Sequence, residues 1–269
     1  MLYFNGFLEQ IQIIKKGNFG TSLNDAYLEA NKNANMADEN VNIDLSDLEN
    51  NHQEIGDAHE GFSIDTPLRA DAFEKSDEEK IAVIQEHMRG IMEALGLDLT
   101  DDSLIGTPKR VAKMYVKEAF GGLNPKRKPG MSTFNNLYRY NEMLVEKNIV
   151  VYSTCEHHFL PIVGRAHVAY ISKGKVIGLS KMNRIVDFYA KRPQVQERLT
   201  KQIVKAMQEA LGTDDVACVI DAKHLCVNSR GIRDIDSSTV TADFGGAFLD
   251  PEKKAEFLDY INMKTQFDA

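Results

Sequence analysis

The sequence feature that most constrains the fold is a set of Cys and His residues divided between two distant parts of the chain. Cys155 and His158 lie three residues apart, and Cys226 follows 71 residues after Cys155. Thiolate and imidazole are ligands that zinc prefers. Because the two parts are so far apart, only a tertiary fold can bring the three side chains to one ion. The sequence therefore predicts a zinc site that the fold assembles.

The number of protein ligands decides between two kinds of zinc site. Three protein ligands are typical of a catalytic zinc, whereas four are typical of a structural one. His157 or His224 could supply the fourth ligand, so both interpretations stay open at this point. If the ion has three protein ligands, the two histidines are available as acid/base groups, since imidazole titrates near neutral pH.

Composition places the chain among ordinary globular proteins. The 269 residues are 43% hydrophobic and 27% charged, enough for one domain with an appendage or for two small domains. Three cysteines form no paired framework, which favours a reducing, cytoplasmic setting. No apolar run approaches the roughly 18–20 residues that span a bilayer. We therefore expect a cytoplasmic protein without membrane attachment.

The charge is unevenly distributed along the chain. The net charge is −8, with −11 in residues 1–80 and +3 in the rest. The mildly basic remainder could accept an anionic small molecule. It lacks the concentrated basic stripe of a nucleic-acid-binding protein, so we expect no nucleic-acid partner.

Residues 1–75 are rich in Asn, Asp and Glu, which predicts an acidic and flexible N-terminal extension in which Met36 is a plausible alternative start. Residues 76–269 are expected to form the folded domain. A capping box at Ser76 predicts a helix that ends at Gly96. Thr107 as an N-cap predicts a second helix, which ends at residues 121–122. Further helices are predicted over 181–191 with Ser180 as N-cap, over 194–211, and from Pro251. Strands are predicted over 149–152, 166–171, 176–179, 216–222 and 239–244. This order predicts an α+β domain with an antiparallel sheet.

Basic residues near the metal-ligand segments suggest a phosphorylated substrate. Lys181 and Arg184 follow a predicted helix start, where free amides favour anions. Arg230 comes shortly after Cys226, and guanidinium groups bind phosphate in a forked geometry. Arg110 and Lys113 share one face of the second helix, which by itself is typical of a solvated surface.

Four segments in order resemble the GTP cyclohydrolase I family: 153–158 (STCEHH), 178–186 (GLSKMNRIV), 192–199 (RPQVQERL) and 224–231 (HLCVNSRG). The segment 107–115 (TPKRVAKMY) belongs to the same resemblance, which extends from about residue 76 to the C-terminus. It implies a tunnel-type α+β fold (T-fold), an antiparallel sheet with a helix pair on one face and N-terminal helices. It also implies a homodecamer of two pentamers with active sites between subunits.

The resemblance further implies zinc-dependent hydrolysis of the GTP imidazole ring at C8, with release of formate and rearrangement to 7,8-dihydroneopterin triphosphate, the entry to folate or other pterins. Carried over by position, Cys155, His158 and Cys226 would bind zinc. His224 and His157 would act as acid/base groups. The substrate-binding residues would be Glu197, Gln196, Leu179 and Ser180 at the guanine, Lys181, Arg184 and Arg230 at the triphosphate, and Arg110 and Lys113 from a neighbouring subunit.

Two rival functions remain. A related tunnel-fold enzyme acting on another pterin or on a deazapurine would also use a carboxylate such as Glu197. A non-catalytic binding module stabilised by zinc would need a fourth protein ligand, and it would leave His157 and His224 without a chemical role. The basic residues and the three-ligand set favour GTP.

Overall fold

The computed structural model describes Gly61 and residues 63–264. Most of the predicted extension 1–75, including Met36, lies outside the described residues, so its flexibility stays a prediction. The helices and strands are, in chain order, α1 Asp77–Ala94, α2 Thr107–Met114, β1 Thr133–Asn135, β2 Met143–Cys155, β3 Pro161–Ile171, β4 Lys175–Ile177, α3 Leu179–Ala190, β5 Pro193–Gln194, α4 Gln196–Leu211, β6 Val216–His224, α5 Leu225–Asn228, β7 Thr239–Phe244 and α6 Pro251–Asn262.

The predicted start and end of helix α1 are confirmed. The Glu79 amide donates to the Ser76 hydroxyl, and the Ser76 amide donates to the Glu79 carboxylate at 2.7 Å. This reciprocal arrangement satisfies two amides that the first turn leaves unpaired. Gly96 follows the helix with φ +78°, a left-handed conformation that glycine adopts without steric cost.

The second helix differs from its prediction at both ends. Gly106, not Thr107, is the N-cap, because the Thr107 amide already donates to the Leu104 carbonyl in the preceding turn. The α-helix also ends at Met114, whereas the sequence predicted that it would reach residues 121–122. Beyond Met114 the backbone widens into a π-helical turn, Tyr115–Ala119, and a 3₁₀ turn follows.

The main sheet has five strands in the order β5-β2-β3-β6-β7. The pairs β2–β3, β3–β6 and β6–β7 are antiparallel, and the short β5 pairs with the end of β2 in parallel. A second, two-stranded sheet pairs β1 with β4. The predicted α+β class with an antiparallel sheet is therefore confirmed.

Strand β6 shows how the two faces of the sheet are covered. Val216, Cys218 and Ile220 point to a core shared with the helix pair α3 and α4, as predicted. The alternate residues Ala217 and Val219 point to the opposite face, where residues of the C-terminal segment pack on the sheet. Because side chains alternate along a strand, one apolar run serves both cores.

Both helices of the pair begin at different residues from those predicted. Helix α3 begins at Leu179 with Gly178 as N-cap, so Ser180 is not the N-cap. The Lys181 amide donates to the Gly178 carbonyl at 2.8 Å, so the first turn begins two residues earlier than predicted. Helix α4 begins at Gln196 instead of residue 194, because β5 uses residues 193–194 to pair with β2. Its predicted end at Gly212 is confirmed, with φ +67°.

In the described part of the chain, no helix has the length and apolar character that crossing a membrane requires.

Candidate metal centre and catalytic site

Strand pairing brings the two distant ligand segments to one edge of the sheet. Strand β2 ends at Cys155, β3 begins at Pro161, and β6 ends at His224. The register pairs Thr154 with Pro161 and Ile162 with His224. Antiparallel pairing therefore places the ends of β2 and β6 on either side of the start of β3. The short helix α5, which carries Cys226, follows directly after β6.

Cys155, His158 and Cys226 form a compact group of possible metal ligands. One ligand atom from each residue lies within 4.8 Å of the other two. Zinc–sulfur bonds of about 2.3 Å and zinc–nitrogen bonds of about 2.0 Å place tetrahedral ligand atoms roughly 3.5–4 Å apart. A modest contraction of the group would reach that spacing, and two thiols with one imidazole are a donor set that zinc prefers. The residues present therefore fit a zinc ion.

The protonation of the two thiols also fits a cation at this position. Burial and the neighbouring Cys155 raise the pKa of the Cys226 thiol to about 11. At neutral pH such a thiol stays protonated unless a positive charge stabilises its thiolate form. A bound metal ion supplies that charge and deprotonates its thiol ligands.

The loop between Cys155 and Leu160 is held in shape by its own backbone. The Cys155 amide donates to the Leu160 carbonyl at 2.8 Å, and the Phe159 amide donates to the Cys155 carbonyl at 2.9 Å. Phe159 has φ +53°, which reverses the chain direction within a short loop. This closed turn places His158 on the same side as Cys155.

His157 lies beside the group of three but is not one of its members. Its Nδ1 atom is 3.9 Å from the Cys155 sulfur, and its side chain is partly exposed. Among the described residues, the group that satisfies the mutual distance has three members. This geometry favours His157 as a neighbour of the metal centre over His157 as a fourth ligand.

His224 is held by a buried glutamine. The side-chain nitrogen of Gln196 donates to the carbonyls of Ile220 at 3.0 Å and Thr239 at 2.8 Å. Because carbonyls only accept hydrogen bonds, the side-chain nitrogen of Gln196 must face these two carbonyls. The side-chain oxygen of Gln196 then faces Nε2 of His224, at 2.7 Å. Because that oxygen also only accepts, Nε2 must carry the hydrogen. Neutral His224 then has its lone pair on Nδ1.

The surroundings of His224 favour its neutral form. Burial lowers the pKa of His224, and the nearby carboxylate of Glu197 opposes that shift. Glu197 itself is exposed in the first turn of α4, next to Gln196. The start of α4 therefore brings two of the predicted site residues to the end of β6.

Comparison with known families agrees with this geometry. The family model for GTP cyclohydrolase I matches residues 84–262. The chain belongs to the GTP cyclohydrolase I family. A protein named GTP cyclohydrolase 1 from Flavobacterium johnsoniae is 71% identical over 214 residues, which cover 80% of this chain and 96% of that protein. One of the same name from Aeromonas salmonicida is 54% identical over 202 residues, covering 75% and 92%.

Membership of the GTP cyclohydrolase I family confirms three expectations from the sequence: the resemblance itself, the assignment as an enzyme of this family, and the tunnel-type α+β fold. The match with the family model begins at residue 84, within α1. The described residues before that point therefore precede the segment matched by the family model.

The other residues that the GTP cyclohydrolase I resemblance singled out lie on α2, at the start of α3 and after α5. The start of α3 lies beside the start of β2, where Asn183 donates to Glu146 at 3.0 Å, and Cys155 is at the other end of that strand. Leu179, Ser180, Lys181 and Arg184 occupy the first two turns of α3, and all but Lys181 are exposed. Arg184 lines a cavity of about 260 Å³ that contains none of the three metal-ligand residues. Three further basic residues, Arg230 after α5 and Arg110 and Lys113 on α2, are exposed.

Sequence reasoning missed an ion pair beside the metal centre of this GTP cyclohydrolase I family member. Both guanidinium nitrogens Nη1 and Nη2 of Arg198 donate to the carboxylate of Glu156, which lies between the metal-ligand residues. The Arg198 side chain is 3% exposed. The available signal was a charged residue within the buried pattern of α4, where Leu199 and Ile203 are core residues.

Proposed function

We propose that the protein is a zinc-dependent GTP cyclohydrolase I. It would open the imidazole ring of GTP by attack of water at C8, release formate and form 7,8-dihydroneopterin triphosphate, the first step of folate or pterin biosynthesis. The observation that carries the proposal is the meeting of Cys155, His158 and Cys226 at one edge of the sheet. Family membership supports the choice of GTP as substrate.

Cys155, His158 and Cys226 would hold the zinc ion. When bound, zinc would supply a Lewis acid that activates water near neutral pH. The three-member group among the described residues supports a catalytic over a structural site, because a catalytic zinc keeps one position for water. The half-buried Cys226 and the buried Cys155 would shield one side of the ion, and the exposed His158 faces the side from which a substrate could approach.

His224 and His157 would move protons. The Gln196 oxygen accepts from Nε2 of His224, so Nδ1 is the nitrogen free to exchange a proton with the substrate. We propose that Nδ1 of His224 first accepts a proton from the attacking water and then donates it to the imidazole nitrogen that leaves C8. His157, 3.9 Å from the Cys155 sulfur, would act as a second acid/base group near the ribose.

Glu197 would bind the guanine base. Its carboxylate is an acceptor for the N1–H and 2-amino donors, and it is exposed beside His224. Leu179 and Ser180, exposed at the start of α3, would help to frame the base. Gln196 is buried and hydrogen-bonded to His224. We therefore propose that Gln196 helps to frame the guanine base by holding the imidazole of His224 against the base.

The triphosphate would be bound by basic residues from two subunits. Arg230 follows α5, the helix that carries Cys226, whereas Lys181 and Arg184 lie at the start of α3, and Arg110 and Lys113 are exposed on α2. We propose that α2 of a neighbouring subunit completes the site within a homodecamer of two pentamers. A cytoplasmic location is in keeping with the three unpaired cysteines.

The test is to incubate the purified protein with GTP and follow formate and dihydropterin absorbance together. We expect both products, their loss on chelation of the metal, and their return with added zinc. Glu197→Gln should mainly raise the KM for GTP, and His224→Ala should stop formate release. Turnover of another pterin or a deazapurine, but not of GTP, would identify the rival enzyme. Zinc binding without any turnover would identify a non-catalytic module.

A further inference from the structure

Arg198 and Glu156 form a nearly buried ion pair next to the metal-ligand residues. The side chain of Arg198 is 3% exposed and that of Glu156 is 18% exposed. Nη1 donates to one carboxylate oxygen, and Nη2 donates to the other at 3.3 Å. This forked geometry fixes the direction of the carboxylate as well as its distance, because the guanidinium group is planar.

The guanidinium group is also bonded on its third side. Its Nε donates to the backbone carbonyl of Ser63 at 2.8 Å. One helical turn further along α4, the side chain of Gln202 donates to the backbone carbonyl of Ile64 at 2.8 Å. The segment before α1 is therefore held on α4 at the residue that binds Glu156. All three nitrogens of this buried guanidinium group thus have a partner, and removing its partner carboxylate would leave an uncompensated charge.

Glu156 is the residue through which this pair reaches the metal centre. It directly follows Cys155 and precedes His158 by two residues. Its backbone amide donates to the carbonyl of Gln194 at 3.0 Å, just before α4 begins. Both the backbone and the side chain of Glu156 are thus tied to the start of α4, whose inner face is buried at Leu199.

We propose that Arg198 is a positioning residue of the metal centre. By fixing Glu156, it holds Cys155 and His158 at the separation that one metal ion requires. The proposal rests on the zinc-dependent function proposed above. Because Ser63 accepts from the same guanidinium group, a residue upstream of the family-matched segment 84–262 contributes to this support.

The test measures how firmly zinc is held in the full-length protein. Arg198→Lys keeps the charge and removes the fork, and Glu156→Gln keeps the shape and removes the charge. Arg165→Lys is the matched control, because Arg165 is an exposed arginine on β3 whose guanidinium donates to the neighbouring Gly164 carbonyl. The readouts are the zinc content per chain, the rate of zinc transfer to a chromogenic chelator, and the unfolding midpoint of the metal-free protein.

We expect zinc to leave the Arg198→Lys and Glu156→Gln variants at least about tenfold faster than the wild type. Arg165→Lys should release zinc at the wild-type rate. The unfolding midpoint of the metal-free Arg198→Lys protein should fall less than that of Glu156→Gln, because Lys keeps a positive charge beside Glu156, whereas Glu156→Gln leaves the buried charge of Arg198 unpaired. Unchanged release from both variants would overturn the proposal.

If either single variant fails to fold, the double variant Arg198→Met with Glu156→Met carries the test. Replacing a buried ion pair by apolar groups of similar volume is often neutral for stability. We expect this variant to fold and to release zinc quickly, and wild-type release from it would overturn the proposal. A wild-type protein that binds no zinc would instead refute the proposed function, and the positioning role would fall with it.

Discussion

Gln196 offers the sharpest single test of how the site is built. It is 1% exposed, and its amide contacts two backbone carbonyls, the Thr241 hydroxyl and His224. The substitution Gln196→Met keeps a similar side-chain length and removes all of these hydrogen bonds. It therefore separates the polar contacts of this side chain from its volume.

The expected magnitude follows from the groups that would lose a partner. The Ile220 and Thr239 carbonyls and the Nε2–H of His224 would each lose a hydrogen bond at 2.7–3.0 Å. An unsatisfied buried polar group costs about 1–3 kcal/mol. Ile220 is buried, whereas Thr239 is exposed and His224 is half-buried, so water can replace part of their loss, and the free energy of unfolding should fall by roughly 2–4 kcal/mol. Positioned acid/base groups contribute about 100-fold or more, so we expect kcat to fall by about 100-fold when His224 loses its fixed orientation.

A matched substitution on the same helix separates stability from catalysis. Gln202 is 5% exposed and bonds to Gln194 and to the Ile64 carbonyl, away from His224. Gln202→Met should lower stability to a similar extent while kcat stays close to the wild-type value. Urea unfolding gives the stability, and dihydropterin formation at saturating GTP gives kcat. An equal kcat for the two variants would refute the role of Gln196 in orienting His224.

Three further predictions test the fold, and Gly130→Ala is the control for the last of them. Phe257→Ala should cost about 3–5 kcal/mol in urea unfolding, because Phe257 is fully buried between α6 and the sheet. Burial raises the pKa of the Asp243 carboxyl group, so ionisation of this group destabilises the folded state as the pH rises through that pKa. Asp243→Asn should therefore raise the unfolding midpoint at pH 7. A lower midpoint would contradict this prediction. Gly122→Ala should destabilise the fold, because a Cβ at residue 122 would lie 1.9 Å from the Phe188 carbonyl oxygen. Gly130→Ala should leave stability unchanged, because a Cβ at residue 130 would meet open space.

The parts of the fold that local chemistry specifies could be predicted from the sequence. The capping box at Ser76 and the left-handed Gly212 act within a few residues, so they fix helix ends without help from the rest of the chain. The strand 239–244 has the same bounds in the sequence prediction and in the structure. Its β-branched and aromatic residues lie between turn-forming residues.

Elements that depend on partners elsewhere were predicted poorly. Strand β2 extends back to Met143, although Glu146, Lys147 and Asn148 are too polar to predict a strand. Pairing with β3 supplies the missing backbone hydrogen bonds, and a bulge between Glu146 and Ile149 accommodates the irregular stretch. Likewise β1 forms only because β4 lies beside it.

The candidate site divides in the same way. Cys155, His158 and Cys226 were identified from residue type and spacing, and the fold brings them together. The supporting residues Gln196 and Arg198 are polar side chains that a sequence alone suggests are solvated or substrate-facing. Their burial depends on the packing of α4 against the sheet and against residues 63–64, which no local pattern encodes.

The most direct test of the account is the zinc content of three purified proteins. The wild type should contain about one zinc per chain, because three side chains form one site. Cys226→Ser should contain almost none. Cys218→Ala should match the wild type, since Cys218 is buried and pairs with Val168, six residues along β3 from Ile162, which pairs with His224 at the ligand end of the sheet. One zinc per chain in Cys226→Ser, or none in the wild type, would contradict the account.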